Sequence, residues 1–249
     1  MCLVEDWEYN VLGVYNYRKP GPLEHYFEFI VENHVVISGD ICEAGVYRGR
    51  SLLATALLLR ELGSAKIVWG FDTFAGFPAY HANDDLSKFT QLYEQGVIDD
   101  ALLAKVKHNQ ELRMLEVQDP LSVANISTSG AFARTSLEVL QRKINHLQLN
   151  NIRLICGIFD ETMQGDYPPF MAALMDCDLY LSYKTALPFI WKHLSRGGYV
   201  FLDEYYSLKF PGARIATDEF YANKRDKPQM HRQIAGDFQR WFVRKIFED

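Results

Sequence analysis

The chain has 249 residues, 48% hydrophobic and 23% charged, the balance of a folded globular protein. That excludes disorder, collagen-like repeats and a coiled coil as the main architecture. With 26 basic against 32 acidic residues, a net charge of −6, a nucleic-acid surface is not expected as the main business.

A length of this order suits one large α/β domain, and residues 1–249 read as a single domain. The opening MCLVEDWEYN carries no apolar signal-peptide core. The longest largely apolar run, Leu52 to Leu59, falls far short of the roughly 20 residues of a membrane helix. A cytoplasmic protein with no membrane partner is expected. Cys2, Cys42, Cys156 and Cys177 form no C-x-x-C pair and read as small buried thiols.

In chain order, an aromatic arm runs to the breaker Pro20-Gly21-Pro22, and Leu23 to Val36 is patterned as an amphipathic helix. Arm and helix together occupy residues 1–38. Asp40 to Ala44 is a short apolar strand, then a glycine-rich turn, then a helix from Ser51 to Leu62 stopped by Gly63. Lys66 to Phe71 is the next strand. Strand, turn, helix and strand make a βαβ unit and imply a parallel sheet. Asp72 to Pro78 is a loop, Leu86 to Leu115 is helical in pieces, and Ser122 to Thr135 has no period. Residues 84–135 therefore read as a helical lid insertion over the sheet ends. A helix over Ser136–Leu147 follows, then strands at Ile152–Ile158 and Ala172–Cys177. A helix over Tyr180–Leu194, a strand at Tyr199–Leu202 and a helix over Ala213–Asn223 complete the alternation. The tail carries two β-like stretches, Gln229–Ile234 and Arg240–Ile246. The whole is a doubly wound α/β sheet with an antiparallel terminal pair.

The turn Glu43-Ala-Gly45-Val-Tyr-Arg-Gly49-Arg-Ser51 lies where ligands bind in an open parallel sheet, at the carboxyl end of a strand. Glycine permits close backbone approach, and the following helix N-terminus favours negative groups. Asp72 ends the next strand, well placed for ribose hydroxyls. The pattern is neither G-x-G-x-x-G nor a Walker loop. Its leading acid disfavours a pyrophosphate and suits a cationic, amine-bearing ligand. S-adenosylmethionine fits best, with NAD(P) or a purely structural turn as the other readings. Further on, Asp176 and Asp178 close one strand, and Asp203 and Glu204 the next. Four carboxylates converging there would repel unless a hard cation joined them. The bland reading has them capping helices or facing water. His81 reads as a solvated loop histidine, although it lies near enough to reach a substrate.

These residues resemble the macrocin O-methyltransferase family, class I S-adenosylmethionine-dependent enzymes that methylate macrolide sugars. The likeness rests on an ordered set: the Glu43–Gly49 loop; Gly70-Phe-Asp-Thr-Phe-Ala-Gly-Phe-Pro78; Ser136-Leu-Glu-Val; Gly157-Ile-Phe-Asp-Glu-Thr162; and Asp176-Cys-Asp-Leu-Tyr180 followed by Gly197–Tyr205 and Pro211-Gly. The resemblance implies a Rossmann-like, mostly parallel seven-stranded sheet with its last strand pair antiparallel. It implies cofactor contacts from Glu43, Ala44, Gly45, Tyr47, Gly49, Ser51, Asp72, Thr73, Ser136 and Asp160. It implies Mg²⁺ bound by Asp176, Asp203 and Glu204, the last an acid that is commonly Asp in the family. Asp176 or Asp178 would take the proton. The expected activity is Mg²⁺-dependent O-methylation of a sugar or similar polyol hydroxyl. A metal-independent methyltransferase and a non-catalytic nucleoside-binding protein stand as rivals. The acceptor is expected to be a small molecule, and a homo-oligomer is compatible with the sequence but not specified by it.

Overall fold

The computed structural model describes residues 3–233 and 237–247. The N-terminal arm contains a helix absent from the sequence reading, α1 (Asp6–Leu12). Glu5 and Glu8 form a reciprocal capping box at its start, and Gly13, at φ 64°, ends it. The amphipathic stretch forms α2 (Glu24–Asn33), which buries Tyr26, Phe27, Phe29 and Ile30.

The βαβ unit is β1 (Asp40–Ala44), α3 (Arg50–Glu61) and β2 (Val68–Asp72). Then come α4 (Lys88–Glu94), α5 (Asp100–Met114), α6 (Leu137–His146), β3 (Ile152–Cys156) and the single turn α7 (Phe159–Thr162). The remainder is β4 (Phe170–Met175), α8 (Tyr180–His193), β5 (Leu194–Leu202), α9 (Pro211–Tyr221), β6 (Gln229–Met230) and β7 (Trp241–Arg244). The strands form one sheet of order β3-β2-β1-β4-β5-β7-β6, with β7 antiparallel to both neighbours. The doubly wound sheet and its antiparallel end are as expected. The stretch expected to continue β6 ends at Ile234, which lies outside the described residues.

β1 and β4 sit mid-sheet, and every residue of β4 is buried. One core layer joins α2, α3 and α6 to the sheet, and the opposite layer joins α8 and α9. At roughly 25 cal/mol per Å² of apolar surface removed from water, these layers supply the main drive for folding. α4 and α5 pack through Phe89, Leu92, Leu103 and Val106 against Tyr206, beyond the end of β5. The stretch after α5 has no helix or strand. It is tied down by Arg113, which donates to the carbonyls of Ile126 and Asn125 at 2.9 and 3.0 Å. Ile126 fills a small core between Leu179 and Phe210.

Cys42 and Cys177 are buried, as expected of free thiols, but Cys156 is exposed. It ends β3, the edge strand, where no further strand covers it. Cys2 lies outside the described residues.

Candidate active site

The carboxyl ends of β1, β2 and β4 open on a cavity of about 450 Å³, large enough for a nucleoside cofactor. Gly45 lets β1 and β4 approach here. A Cβ on it would overlap the Asp176 carbonyl oxygen, and its φ of 91° lies in the left-handed region. Tyr47 follows with φ 51°, a conformation costly for a bulky residue. Asp72 holds this shape. Its Oδ2 accepts from the backbone N–H groups of Val46 (2.8 Å) and Tyr47 (2.7 Å), and its Oδ1 from Phe74 N–H (2.6 Å). Three charge-assisted bonds to one carboxylate lock the turn while the acid still lines the cavity.

Of the expected cofactor residues, Gly45, Tyr47, Asp72, Thr73 and Asp160 line this cavity. Glu43, Ala44 and Ser51 are buried beneath it. The Glu43 carboxylate accepts from Ser51 Oγ at 2.7 Å, and its other oxygen has no partner among the described residues. Burial first, then the field of Asp72, pushes its pKa up to about 8. Glu43 and Ser51 therefore brace the turn from below. Gly49 starts α3 and packs under Leu140, and Ser136 caps α6 by accepting from Val139 N–H at 3.2 Å. Neither lines the cavity. His81 caps a short turn, accepting from Asn83 N–H at 3.1 Å, and its ring stacks on Tyr180.

The sequence reading passed over the rest of the wall. Phe77 and Phe132 form one side, and Leu181, Ser182 and Thr185 of α8 another. Positions 181 and 185 lie one turn apart and so share a face, a signal present in the sequence. Thr185 Oγ1 donates to Asp160 at 2.6 Å and anchors that loop.

At the ends of β4 and β5, one carboxylate oxygen each from Asp176, Asp178 and Glu204 lie within 4.8 Å of one another. Asp178 joins them because the backbone turns sharply: its φ is 61°, and Leu179 N–H donates to Cys177 C=O at 2.6 Å across it. Asp203 adjoins this group, with its side chain in hydrogen-bonding reach of Asp176 and its Oδ1 3.3 Å from Arg240 Nη1. The expected ligand set and the observed cluster thus share Asp176 and Glu204 and differ in the third acid. Burial and mutual repulsion hold Asp176 and Asp178 well above the usual carboxylate range. Burial and then Asp203 raise Glu204 to about 7. An all-oxygen, buried, self-repelling donor set is the chemistry that a hard divalent cation relieves.

A doubly wound sheet whose glycine turn and strand-end acids open on one cavity defines a class I methyltransferase fold. The family model of the macrocin O-methyltransferases matches residues 14–111 and 124–240, and the chain belongs to that family. It is accordingly an S-adenosylmethionine-dependent methyltransferase. It is 25% identical over 221 residues to demethyldecarbamoylnovobiocin O-methyltransferase of Streptomyces niveus, covering 87% of this chain and 70% of that protein. It is 27% identical over 205 residues to 8-demethyl-8-(2,3-dimethoxy-alpha-L-rhamnosyl)-tetracenomycin-C 4'-O-methyltransferase of Streptomyces olivaceus, covering 82% and 66%. The chain thus spans about two thirds of the length of these relatives. The solved O-methyltransferase NovP shares the fold, with a TM-score of 0.62 and 21% identity over 90% of this chain and 77% of that one.

Proposed function

We propose that this chain methylates a hydroxyl of a sugar or sugar-bearing small molecule with the help of Mg²⁺. The observation that carries the reading is the cluster of Asp176, Asp178 and Glu204 beside the cavity. The tetracenomycin relative is named for a methyl transfer on a rhamnosyl product, which supports a sugar hydroxyl as acceptor.

S-adenosylmethionine would supply the methyl group, with Asp72 and Tyr47 of the cavity wall to hold its ribose and Gly45 leaving the backbone open to close approach. Mg²⁺, held by Asp176, Asp178 and Glu204, would supply Lewis-acid acidification of the acceptor hydroxyl and neutralise the three acids. Burial raises the Asp203 pKa at the cluster's edge, and Arg240 opposes that rise. Asp176 lines the cavity and is placed to receive the hydroxyl proton. The wall of Phe77, Phe132 and Leu181 excludes water from the transfer. Residues 84–135, with α4 and α5, act as the lid within a single domain, and Phe132 is the lid's contribution to the wall. Among the described residues no helix is long and apolar enough to cross a membrane.

The test is release of S-adenosylhomocysteine with a panel of hydroxylated sugars and glycosides. Turnover on a sugar hydroxyl is expected. Cofactor binding without turnover on any hydroxylated acceptor would contradict the reading.

A further inference from the structure

Strand pairing between β4 and β5 stops short of the acids. The last register pair is Met175 with Leu202. Asp176 directly follows the first of these residues, and Glu204 lies two beyond the second. Strand pairing therefore does not set how far apart the two carboxylates stand. A cation held by an oxygen from each is sensitive to that separation. Mg²⁺ is the most exacting case, because it demands a near-ideal octahedron of oxygens at about 2.0–2.1 Å.

One side chain bridges the two strand ends. Tyr183 of α8 is completely buried, and its hydroxyl donates to Met175 C=O at 3.0 Å and accepts from Glu204 N–H at 3.4 Å. The first bond holds the end of β4 immediately before Asp176, and the second holds the backbone of Glu204 itself. Tyr183 N–H also donates to Leu179 C=O at 3.0 Å, directly after Asp178. One residue thus touches the backbone at or beside all three acids of the cluster. Its ring lies in the core layer that joins α8 and α9 to the sheet, where close packing fixes it. Burial, then Cys177 and the acids, hold the phenol well above its ordinary pKa, so it stays a neutral donor. Glu204 is steadied from a second side. Ser207, also buried, accepts at Oγ from Lys209 N–H at 3.1 Å and Phe210 N–H at 3.0 Å. A hydroxyl has two acceptor sites and one proton. With both acceptor sites taken, the proton is left for the Glu204 carboxylate, which lies in hydrogen-bonding reach. Neither Tyr183 nor Ser207 lines the cavity, so neither is placed to touch cofactor or acceptor.

We propose that Tyr183 is a positioning residue for the cation: its hydroxyl bridges the ends of β4 and β5 and sets the spacing of Asp176 and Glu204 to suit Mg²⁺, while Ser207 aims the Glu204 carboxylate. The proposal rests on the Mg²⁺ reading above. Metal ligands are held to their geometry by such outer partners, and losing one typically costs about 10–100-fold in metal affinity. Tyr183→Phe keeps the ring and its packing and removes only the bridge. Met175 C=O and Glu204 N–H are then free to part, and the cluster loosens without losing an acid.

The test is calorimetry of Mg²⁺ and Ca²⁺ with the full-length protein, comparing wild type, Tyr183→Phe, Ser207→Ala and Tyr221→Phe, with S-adenosylhomocysteine affinity measured on each. Tyr221 of α9 is the control, a buried tyrosine whose hydroxyl has no partner among the described residues. Mg²⁺ affinity is expected to fall about 10–100-fold in Tyr183→Phe and about tenfold in Ser207→Ala, and to hold in Tyr221→Phe. Ca²⁺ accepts a wider and more flexible shell, so its affinity should fall about threefold or less in Tyr183→Phe. S-adenosylhomocysteine affinity should match wild type in all three variants. Wild-type Mg²⁺ affinity in either Tyr183→Phe or Ser207→Ala would overturn the proposal. So would equal losses of Mg²⁺, Ca²⁺ and S-adenosylhomocysteine affinity, the mark of a generally loosened fold. Absence of Mg²⁺ binding by wild type would overturn the Mg²⁺ reading on which the proposal rests.

Discussion

Asp203 and Arg240 are joined across β5 and the segment leading into β7, Oδ1 to Nη1 at 3.3 Å, and the same guanidinium grips Asp237 at 2.7 and 2.9 Å. Asp203 therefore has an ion-pair partner, whereas among the described residues Asp176, Asp178 and Glu204 form no salt bridge, and Asp178 and Glu204 feel only the field of Lys209 and, for Glu204, of Arg240. The acids should divide accordingly in a Mg²⁺ titration. Asp178→Asn, which removes a ligand, is expected to weaken metal binding by more than about 100-fold, and Asp203→Asn by about 10–100-fold, the cost of losing a group beside the ligands. The reverse ranking, measured by calorimetry, would place Asp203 in the ligand set and Asp178 outside it.

Asp72 has a structural task besides lining the cavity. An amide at this position accepts through one oxygen only, and its NH₂ would face at least one backbone N–H that now donates to the carboxylate. Asp72→Asn should cost about 2–3 kcal/mol of stability and at least tenfold in S-adenosylhomocysteine affinity. Thermal melts with and without the cofactor product check both. An unchanged melting temperature would remove the turn-locking role.

Two glycines of the turn should respond differently to alanine. At Gly45 the added Cβ meets fixed backbone of Asp176; at Gly49 it meets a methyl of the Leu140 side chain, which can turn aside. Both positions also pay for a positive φ. Gly45→Ala is expected to cost about 3 kcal/mol or more, and Gly49→Ala about 1–2 kcal/mol. Denaturant unfolding of the two variants measures the difference. Equal losses would show that strain in φ, and not the approach of β1 to β4, sets the cost.

Glu43 imposes a pH dependence. Its folded pKa of about 8 exceeds the ordinary 4.5, so the folded state holds a proton that the unfolded chain releases. Its contribution to stability is complete below about pH 4.5 and is lost as the pH rises to about 8. Glu43→Gln should flatten the melting curve across this window and gain relative to wild type by several degrees at pH 9. Melting temperature against pH for the two proteins decides it. Parallel curves would mean that Glu43 ionises freely in the fold.

Much of the fold is legible in the chain. Short apolar strands alternate with helical periods, and the terminal β-like pair announces the antiparallel end. The helix α1 escaped because its aromatic, acidic composition hides the pattern, although Glu5 and Glu8 stand at capping-box spacing. In the site, Gly45, Tyr47, Asp72, Thr73 and Asp160 line the cavity. Glu43 and Ser51 do not, because β1 alternates its side chains and turns this acid inward, which only the packing of α3 reveals. The third acid of the cluster depends on the left-handed backbone of Asp178, which no spacing in Asp176-Cys-Asp178 encodes.

The most direct test of the acid cluster is turnover of one accepted sugar substrate by protein stripped of metal and then given Mg²⁺ back. Lewis-acid assistance predicts a loss of about 100-fold or more in kcat on stripping, recovered on Mg²⁺ addition by wild type but not by Glu204→Gln. Full turnover by the stripped enzyme would contradict the account.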